Sequence, residues 1–240
     1  MRKKKLKQSG IRTLVSKGAY RCGNNTRVKI LKSAINIFGK LGFQAATTRQ
    51  VAARARVNLA ALRYYFGSKE DLYRACAEYI ADDFAKNPHL TIGRIAMVDM
   101  SANMTRNEMI DLLEEYLVSY IESLDAGKGY YDFTERAAYE HSIAYDIIYE
   151  RIFSKVIDTG HMFFCRITGC SPEDIQSRIA LFSLVGAALG FRNMRPTVLP
   201  SLGWEDYKGN RLALLKSNLR EQLLCTIDRF STPNRVHPIQ

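Results

Sequence analysis

Asn58, Arg63, Tyr64 and Tyr65 stand in one short stretch, with Thr47, Thr48 and Arg49 just before them and Lys69 just after. These side chains carry no nucleophile or metal-binding pattern. They are suited to holding a polyanion: cations neutralise phosphates, hydroxyls donate to phosphate oxygens, and an arginine fork matches the O6 and N7 acceptors of guanine. Such groups are useful only if they share a face. Residues 47–72, TTRQVAARARVNLAALRYYFGSKEDL, supply one. Thr47 is a good N-cap, and Gln50 three residues on completes a capping box, so a short helix starts here with Val51, Ala52 and Ala55 inward. Val57 fills a turn. Asn58 caps a second helix whose inner face is Leu62 and Phe66, which leaves Asn58, Leu59, Ala60, Arg63, Tyr64 and Tyr65 outward. Gly67-Ser68 ends it, and Ser68 caps a third helix with Glu70 and Asp71 in its first turn. Two short helices joined by a tight turn, the second polar and aromatic outside, form a helix-turn-helix.

The order TTRQVAARARVN, then LRYYFGSKEDLY, resembles the DNA-binding signature of the TetR/AcrR family of bacterial repressors and covers roughly a fifth of the chain. The resemblance implies an all-α homodimer with an N-terminal helix-turn-helix and a C-terminal effector domain. It further implies that Thr47 or Thr48 meets a phosphate at a helix N-terminus. Tyr65 and Lys69 would clamp the backbone on the other side, and Arg49, Asn58, Leu59, Ala60, Arg63 and Tyr64 would face the major groove. Arg63 is the best candidate for reading a guanine; a phosphate contact is the alternative. One position departs from the family pattern: Arg56 stands where a glycine is usual. A left-handed backbone there costs a non-glycine residue about 1–2 kcal/mol. Either the turn differs, or Arg56 compensates by reaching a phosphate.

The charge distribution agrees with a nucleic-acid-binding head. Of the formal +11, residues 1–75 hold 18 Lys+Arg against 2 Asp+Glu, a net of +16, and residues 76–240 hold 17 against 22, a net of −5. This is the footprint of a protein whose N-terminal part alone meets a polyanion. A membrane surface would be the competing polyanion, but no stretch approaches the ~18 apolar residues of a membrane helix and no signal peptide is visible. A cytoplasmic protein is expected. Residues 1–24 carry eight cations and no acid, without a sustained apolar period. They read as a flexible basic arm, adding phosphate or minor-groove contacts or contributing only solubility. The helix-turn-helix domain occupies 25–75, and 76–240 form the effector-binding and dimerisation domain.

A first helix from about Thr26 to Leu41 places Val28, Leu31, Ala34, Ile35, Phe38 and Leu41 on one face, with Gly42 ending it and Phe43 entering the same core. A fourth, from Lys69 to about Lys86, joins head to body through Leu72, Tyr73, Cys76, Tyr79 and Ile80. Residues 88–104 read as a loop. Thr105 to Glu108 is another capping box, opening an apolar helix to Leu124. Residues 130–168 read as a short helix, then a long one from about Ser142. Ser171-Pro-Glu-Asp174 starts a further helix to about Phe191, with Ser171 as cap and Ile175, Ile179, Phe182, Val185, Ala188 and Leu189 as its stripe. Gly186, Ala187 and Gly190 on its other side would let a second helix approach closely. Pro196 and Pro200 fence a connector, and a last helix runs from Lys208 to about Phe230.

Phe133-Thr-Glu-Arg136, Thr168-Gly169-Cys170, LVGAALGFR (184–192) and LGW (202–204) resemble the CecR branch of the same family. That resemblance implies a four-helix dimer interface built from 184–191 and 212–230. A pocket between the body helices would be lined by apolar and aromatic groups with few polar anchors, and the candidates are Tyr116, Tyr120, Arg136, His141, His161 and Phe163; an ordinary core or surface role is the competing reading for each. Arg136 ranks first because it matches the family's FxxR arginine, although Ala137 replaces the usual following glutamate.

Catalysis has no motif to rest on: G-x-S-x-G, P-loop, G-x-G-x-x-G and H-E-x-x-H patterns are all missing. No cofactor is expected. The five cysteines are odd in number, with no CxxC, and the four histidines do not sit at metal-ligand spacing with them. Reduced structural thiols are the plain reading, with Cys165/Cys170 as a redox pair the alternative. The expectation is a ligand-responsive repressor binding a palindromic double-stranded DNA operator as a homodimer. A DNA-binding protein without a small-molecule effector is the alternative.

Overall fold

The computed structural model describes residues 8–86, 103–122 and 128–231, with side chains for 25–84, 103–122 and 129–231. Among the described residues every regular element is helical. The order is α1 (Gln8–Ala45), α2 (Thr48–Ala55), α3 (Leu59–Phe66), α4 (Lys69–Lys86), α5 (Arg106–Glu122), α6 (Lys128–Tyr139) and α7 (Ile143–Ile148). A π turn (Tyr149–Phe153) follows, then α8 (Ser154–Thr168), α9 (Ile175–Asn193), α10 (Arg195–Ser201) and α11 (Asn210–Ser231). The expected loop at 88–104 lies outside the described residues as far as 102, and so does the C-terminal tail.

The chain divides into two compact units, residues 1–80 with 129–148, and 81–128 with 149–240. This division groups α6 and α7 with residues 1–80, where the sequence suggests a boundary at residue 75, and α6 packs against α1 and α4. Ile30, Leu31, Ala34, Ile35 and Phe38 of α1 are 1% exposed or less. Phe38, Tyr73 and Phe133 form an aromatic cluster, with ring centroids 4.9 Å apart for Phe38–Tyr73 and 5.1 Å for Tyr73–Phe133. Phe43 joins it at 4.9 Å from Tyr73. Leu41, expected on the inner face, is 42% exposed, and Ile30 takes a core place instead.

Helical backbone extends from the packed part of α1 back to Gln8, so the expected flexible arm is helical over residues 8–24. Propagation adds one hydrogen bond per residue to a nucleus already formed, and needs no apolar face of its own. Residues 1–7 lie outside the described residues. At the other end Gly42 (φ 78, ψ 171) breaks α1.

Unit 2 is built from α5, α8, α9 and α11. Thr105 and Glu108 form the expected box: the Thr105 N–H donates to the Glu108 carboxylate at 2.7 Å, and the Glu108 N–H to Thr105 Oγ1 at 3.3 Å. These bonds hold the Glu108 carboxyl below its ordinary range. Leu113, Phe163, Phe164, Leu219, Leu223 and Ile227 fill the core at 1% exposure or less. Gly160 of α8 runs close to Leu113 and Leu181. Arg220 of α11 ties to Asp111 (3.1 Å) and Glu114 of α5, and Lys216 to Glu122 (2.6 Å). The long helix expected from Ser142 is interrupted by the π turn. The cap of α9 is Asp174, whose carboxylate accepts from the Gln176 N–H at 2.9 Å, and not Ser171. Ser171 instead closes a separate turn, accepting from the Asp174 N–H, before the backbone extends at Asp174 (ψ 104). The segment read as a connector contains α10, for which Pro196 in the first turn is well suited.

Arg56 is left-handed (φ 52, ψ 48). Its N–H donates to the Ala53 carbonyl and that of Val57 to Ala52, the paired bonds of a Schellman motif. The turn therefore keeps the backbone that glycine would adopt, and arginine bears the strain. Arg56→Gly is expected to stabilise the fold by about 0.5–1 kcal/mol, the relieved strain less the extra unfolded-state entropy of glycine. A raised denaturant midpoint at unchanged slope is the measurement that checks it.

Candidate nucleic-acid interface

The local bonds that set the two short helices are in place. Gln50 N–H donates to Thr47 Oγ1 (3.2 Å), and Thr47 N–H donates back to Gln50 Oε1 (2.8 Å). The Ala61 N–H donates to Asn58 Oδ1 at 2.7 Å. At α4, the Asp71 N–H donates to Ser68 Oγ (3.0 Å), and the Ser68 hydroxyl donates to Asp71 at 2.6 Å, lowering the Asp71 carboxyl pKa. Leu62 is fully buried and Phe66 nearly so. Val51, Ala52 and Ala55 form the buried side of α2.

Burying those residues turns the others out. Thr47, Arg49, Asn58, Ala60, Arg63 and Tyr64 are exposed, and Thr48, Leu59, Tyr65 and Lys69 are half-buried. Tyr64 is 84% exposed, which no folding requirement explains. Its ring meets Tyr65 edge-on at 5.4 Å, so the two tyrosines brace each other at the end of α3. Two assignments acquire detail. Asn58 spends its side-chain carbonyl on the α3 cap and presents only its amide N–H groups outward. Lys69 donates to the Gln44 carbonyl at 3.2 Å and lies 4.5 Å from the centre of the Phe43 ring. Lys69 thus fixes α4 to the α1–α2 turn, and any phosphate contact would use its remaining donors. A hollow of about 740 Å³, lined in part by Lys29, Lys32 and Arg54, gathers cations that are scattered along the sequence.

Other contacts that position the interface join residues far apart in the sequence. The Glu140 carboxylate, at the end of α6, accepts from the Phe43 N–H at 3.2 and 3.3 Å, clasping the α1–α2 turn. The Tyr73 hydroxyl lies 3.3 Å from Ser142 Oγ, and burial raises the Tyr73 pKa. Gly39 lets α6 approach closely, since a Cβ there would sit 2.8 Å from the Phe133 nitrogen.

The six effector candidates fall in different units. Arg136 and His141 are exposed in unit 1, and His141 ends the α6 turn in a left-handed conformation (φ 47). Tyr116, Tyr120, His161 and Phe163 are buried in unit 2. Tyr116 and Tyr120 place their hydroxyls 2.5 Å apart. His161 Nε2 lies 2.6 Å from Ser177 Oγ, whose hydroxyl donates to the Asp174 carbonyl. Burial first, then the Arg178 charge, pushes the His161 pKa below 6.5. An unfolded chain therefore binds a proton that the folded one resists, so stability is held above pH 6.5 and lost as pH falls below it. His161→Gln is expected to flatten that acid limb, as read from urea midpoints across this range.

Among the described residues no helix is long and apolar enough to cross a membrane. Residues 30–76 match the bacterial regulatory proteins of the tetR family, and residues 132–228 match the C-terminal domain of the HTH-type transcriptional dual regulator CecR. The chain is 30% identical over 218 residues to the CecR regulator of Shigella flexneri, spanning 86% of this chain and 91% of that protein. In fold it is similar to a TetR-like transcriptional regulator from Rhodococcus sp. RHA1, with a TM-score of 0.57 and 17% identity over 83% of this chain and 96% of that one. It is also similar to AibR, solved in complex with isovaleryl coenzyme A and operator DNA, with a TM-score of 0.54 and 18% identity over 86% and 98%. Capped short helices, an outward recognition face and matches to both halves of a known regulator agree, and the chain belongs to the TetR family of DNA-binding transcriptional regulators, in its CecR-type branch.

Proposed function

We propose that the protein is a ligand-responsive repressor that binds a palindromic operator as a homodimer, through α3 in the major groove and through α9 and α11 between subunits. The observation that carries the dimer is an apolar stripe on α9. Ile175, Ile179 and Phe182 are 62%, 52% and 52% exposed, whereas Ser177, Leu181, Leu184 and Ala188 face the core of their own unit. Gly186 and Gly190 continue the outward stripe at helical spacing with open space before them. On α11, Leu214 is 61% exposed. Exposed apolar stripes mark interaction surfaces, and a subunit interface is the reading this one supports. Dimeric helix-turn-helix proteins bring two recognition helices to half-sites about 34–36 Å apart.

The effector would act by favouring one arrangement of the two recognition helices over another, which requires differential affinity for the two arrangements. The fold accommodates a ligand beside operator binding in AibR, whose complex holds both. Selecting bound duplexes from a random pool tests the reading. An inverted repeat should be enriched, and small molecules that release it would identify the effector class. Enrichment of asymmetric single sites would overturn the dimeric arrangement, and no ligand effect would leave the operator controlled by other means.

A further inference from the structure

We propose that Cys165 and Cys170 are an oxidisable pair, converted by a hydroperoxide into an intramolecular disulfide at the junction of α8 and α9. Cys165 lies in the last turn of α8 and is 5% exposed, and Cys170 is half-buried just past the helix end. Gly169, left-handed at φ 75, turns the chain back, and its N–H donates to the Cys165 carbonyl at 2.8 Å. This brings the two sulfurs to 3.1 Å, with the Cys170 thiol donating to Cys165 Sγ. A disulfide has its sulfurs about 2.05 Å apart, so roughly 1 Å of approach completes the bond. Cys76, by contrast, is fully buried on its own, and Cys225 is exposed on α11.

The surroundings divide the roles. Cys170 is reachable by solvent and meets the oxidant. Cys165 is enclosed, its thiol directed at the Ser171 carbonyl (3.7 Å) with His161 Nε2 at 3.5 Å. Burial pushes its pKa up to about 12, which suits a second attacker and not a first. In the first step the Cys170 thiolate attacks a peroxide oxygen. The O–O bond breaks, the departing oxygen takes up the proton that the thiol released, and Cys170 becomes a sulfenic acid. In the second, Cys165 sulfur attacks Cys170 sulfur. The S–S bond forms, the S–O bond breaks, and the hydroxide leaves with the Cys165 proton as water. Two thiols lose two electrons, and the peroxide gains them.

The test uses the full chain treated with hydrogen peroxide, then denatured, alkylated and digested with trypsin. Arg166 separates the two cysteines into different peptides. The proposal expects those peptides to become cross-linked, with alkylation at Cys165 and Cys170 lost together, restored by dithiothreitol, and unchanged at Cys76 and Cys225. In Cys170→Ser, Cys165 should remain fully alkylatable under the same treatment. In Cys165→Ser, Cys170 should stop at a sulfenic acid trapped by dimedone; if this core variant does not fold, the Cys170→Ser arm decides alone. Unchanged alkylation of the pair, a bond to another cysteine, or oxidation of Cys165 without Cys170 would each overturn the proposal.

Discussion

Replacing Gly42 with alanine is expected to destabilise the protein by about 3 kcal/mol and to weaken DNA binding in proportion to the unfolded head. Two causes act together. At φ 78 and ψ 171 the backbone lies in a region open almost only to glycine, worth about 1–3 kcal/mol of strain to any other residue. A Cβ there would also enter the Glu140 carboxylate, which holds the Phe43 N–H. Displacing that carboxylate leaves a part-buried N–H without its partner, a further cost of about 1–3 kcal/mol. Combining Gly42→Ala with Glu140→Ala separates the causes. The double variant should recover the steric part and keep the backbone strain, giving less than the sum of the single losses. Equal stability of Gly42→Ala and wild type in urea would remove Glu140 from its positioning role.

The second large effect concerns binding and leaves the fold alone. Tyr65→Ala is expected to weaken every duplex alike, because a phosphate contact carries no sequence information. Arg63→Ala is expected to cost about 1–3 kcal/mol at a single base position, the worth of one bidentate arginine–guanine pair, and to relax preference there. Both side chains lie outside the head core, so melting temperatures should stay near wild type. Lys69→Ala is a poorer probe: removing it also breaks the bond to the Gln44 carbonyl and the contact with Phe43. Uniform loss across all bases on Arg63→Ala would reassign Arg63 to a phosphate.

What could be read from the sequence was whatever is decided within a few residues. The caps at Thr47, Asn58, Ser68 and Thr105 rest on a side chain and an amide two or three positions away, and each hydrogen bond is present in the structure. The outward set on α3 followed from Leu62 and Phe66 alone. Spatial pairings were not readable. Glu140 and Phe43 are 97 residues apart, and nothing in FTERAAYEHS announces an acceptor for a distant backbone amide. On α9 two apolar stripes interleave, and periodicity cannot say which faces its own core. The buried one proved to be Ser177, Leu181, Leu184 and Ala188. Gly39 and Gly42 share one end of α1, a spacing that could have pointed to the close approach of α6. For α10, Pro196, which suggested a fence, instead sits in the first turn, and Pro200 stands inside the helix near its end.

The most direct test of the account is a comparison of two duplexes equal in length and composition: the selected inverted repeat and a scrambled version of it. Both are titrated with the full-length protein at one fixed salt concentration. The account predicts binding to the repeat at least about 10³-fold tighter, the usual margin of a specific reader over its own phosphate-driven background. Equal affinity for the two duplexes would contradict it, leaving the basic head as a charge-driven contact without a message to read.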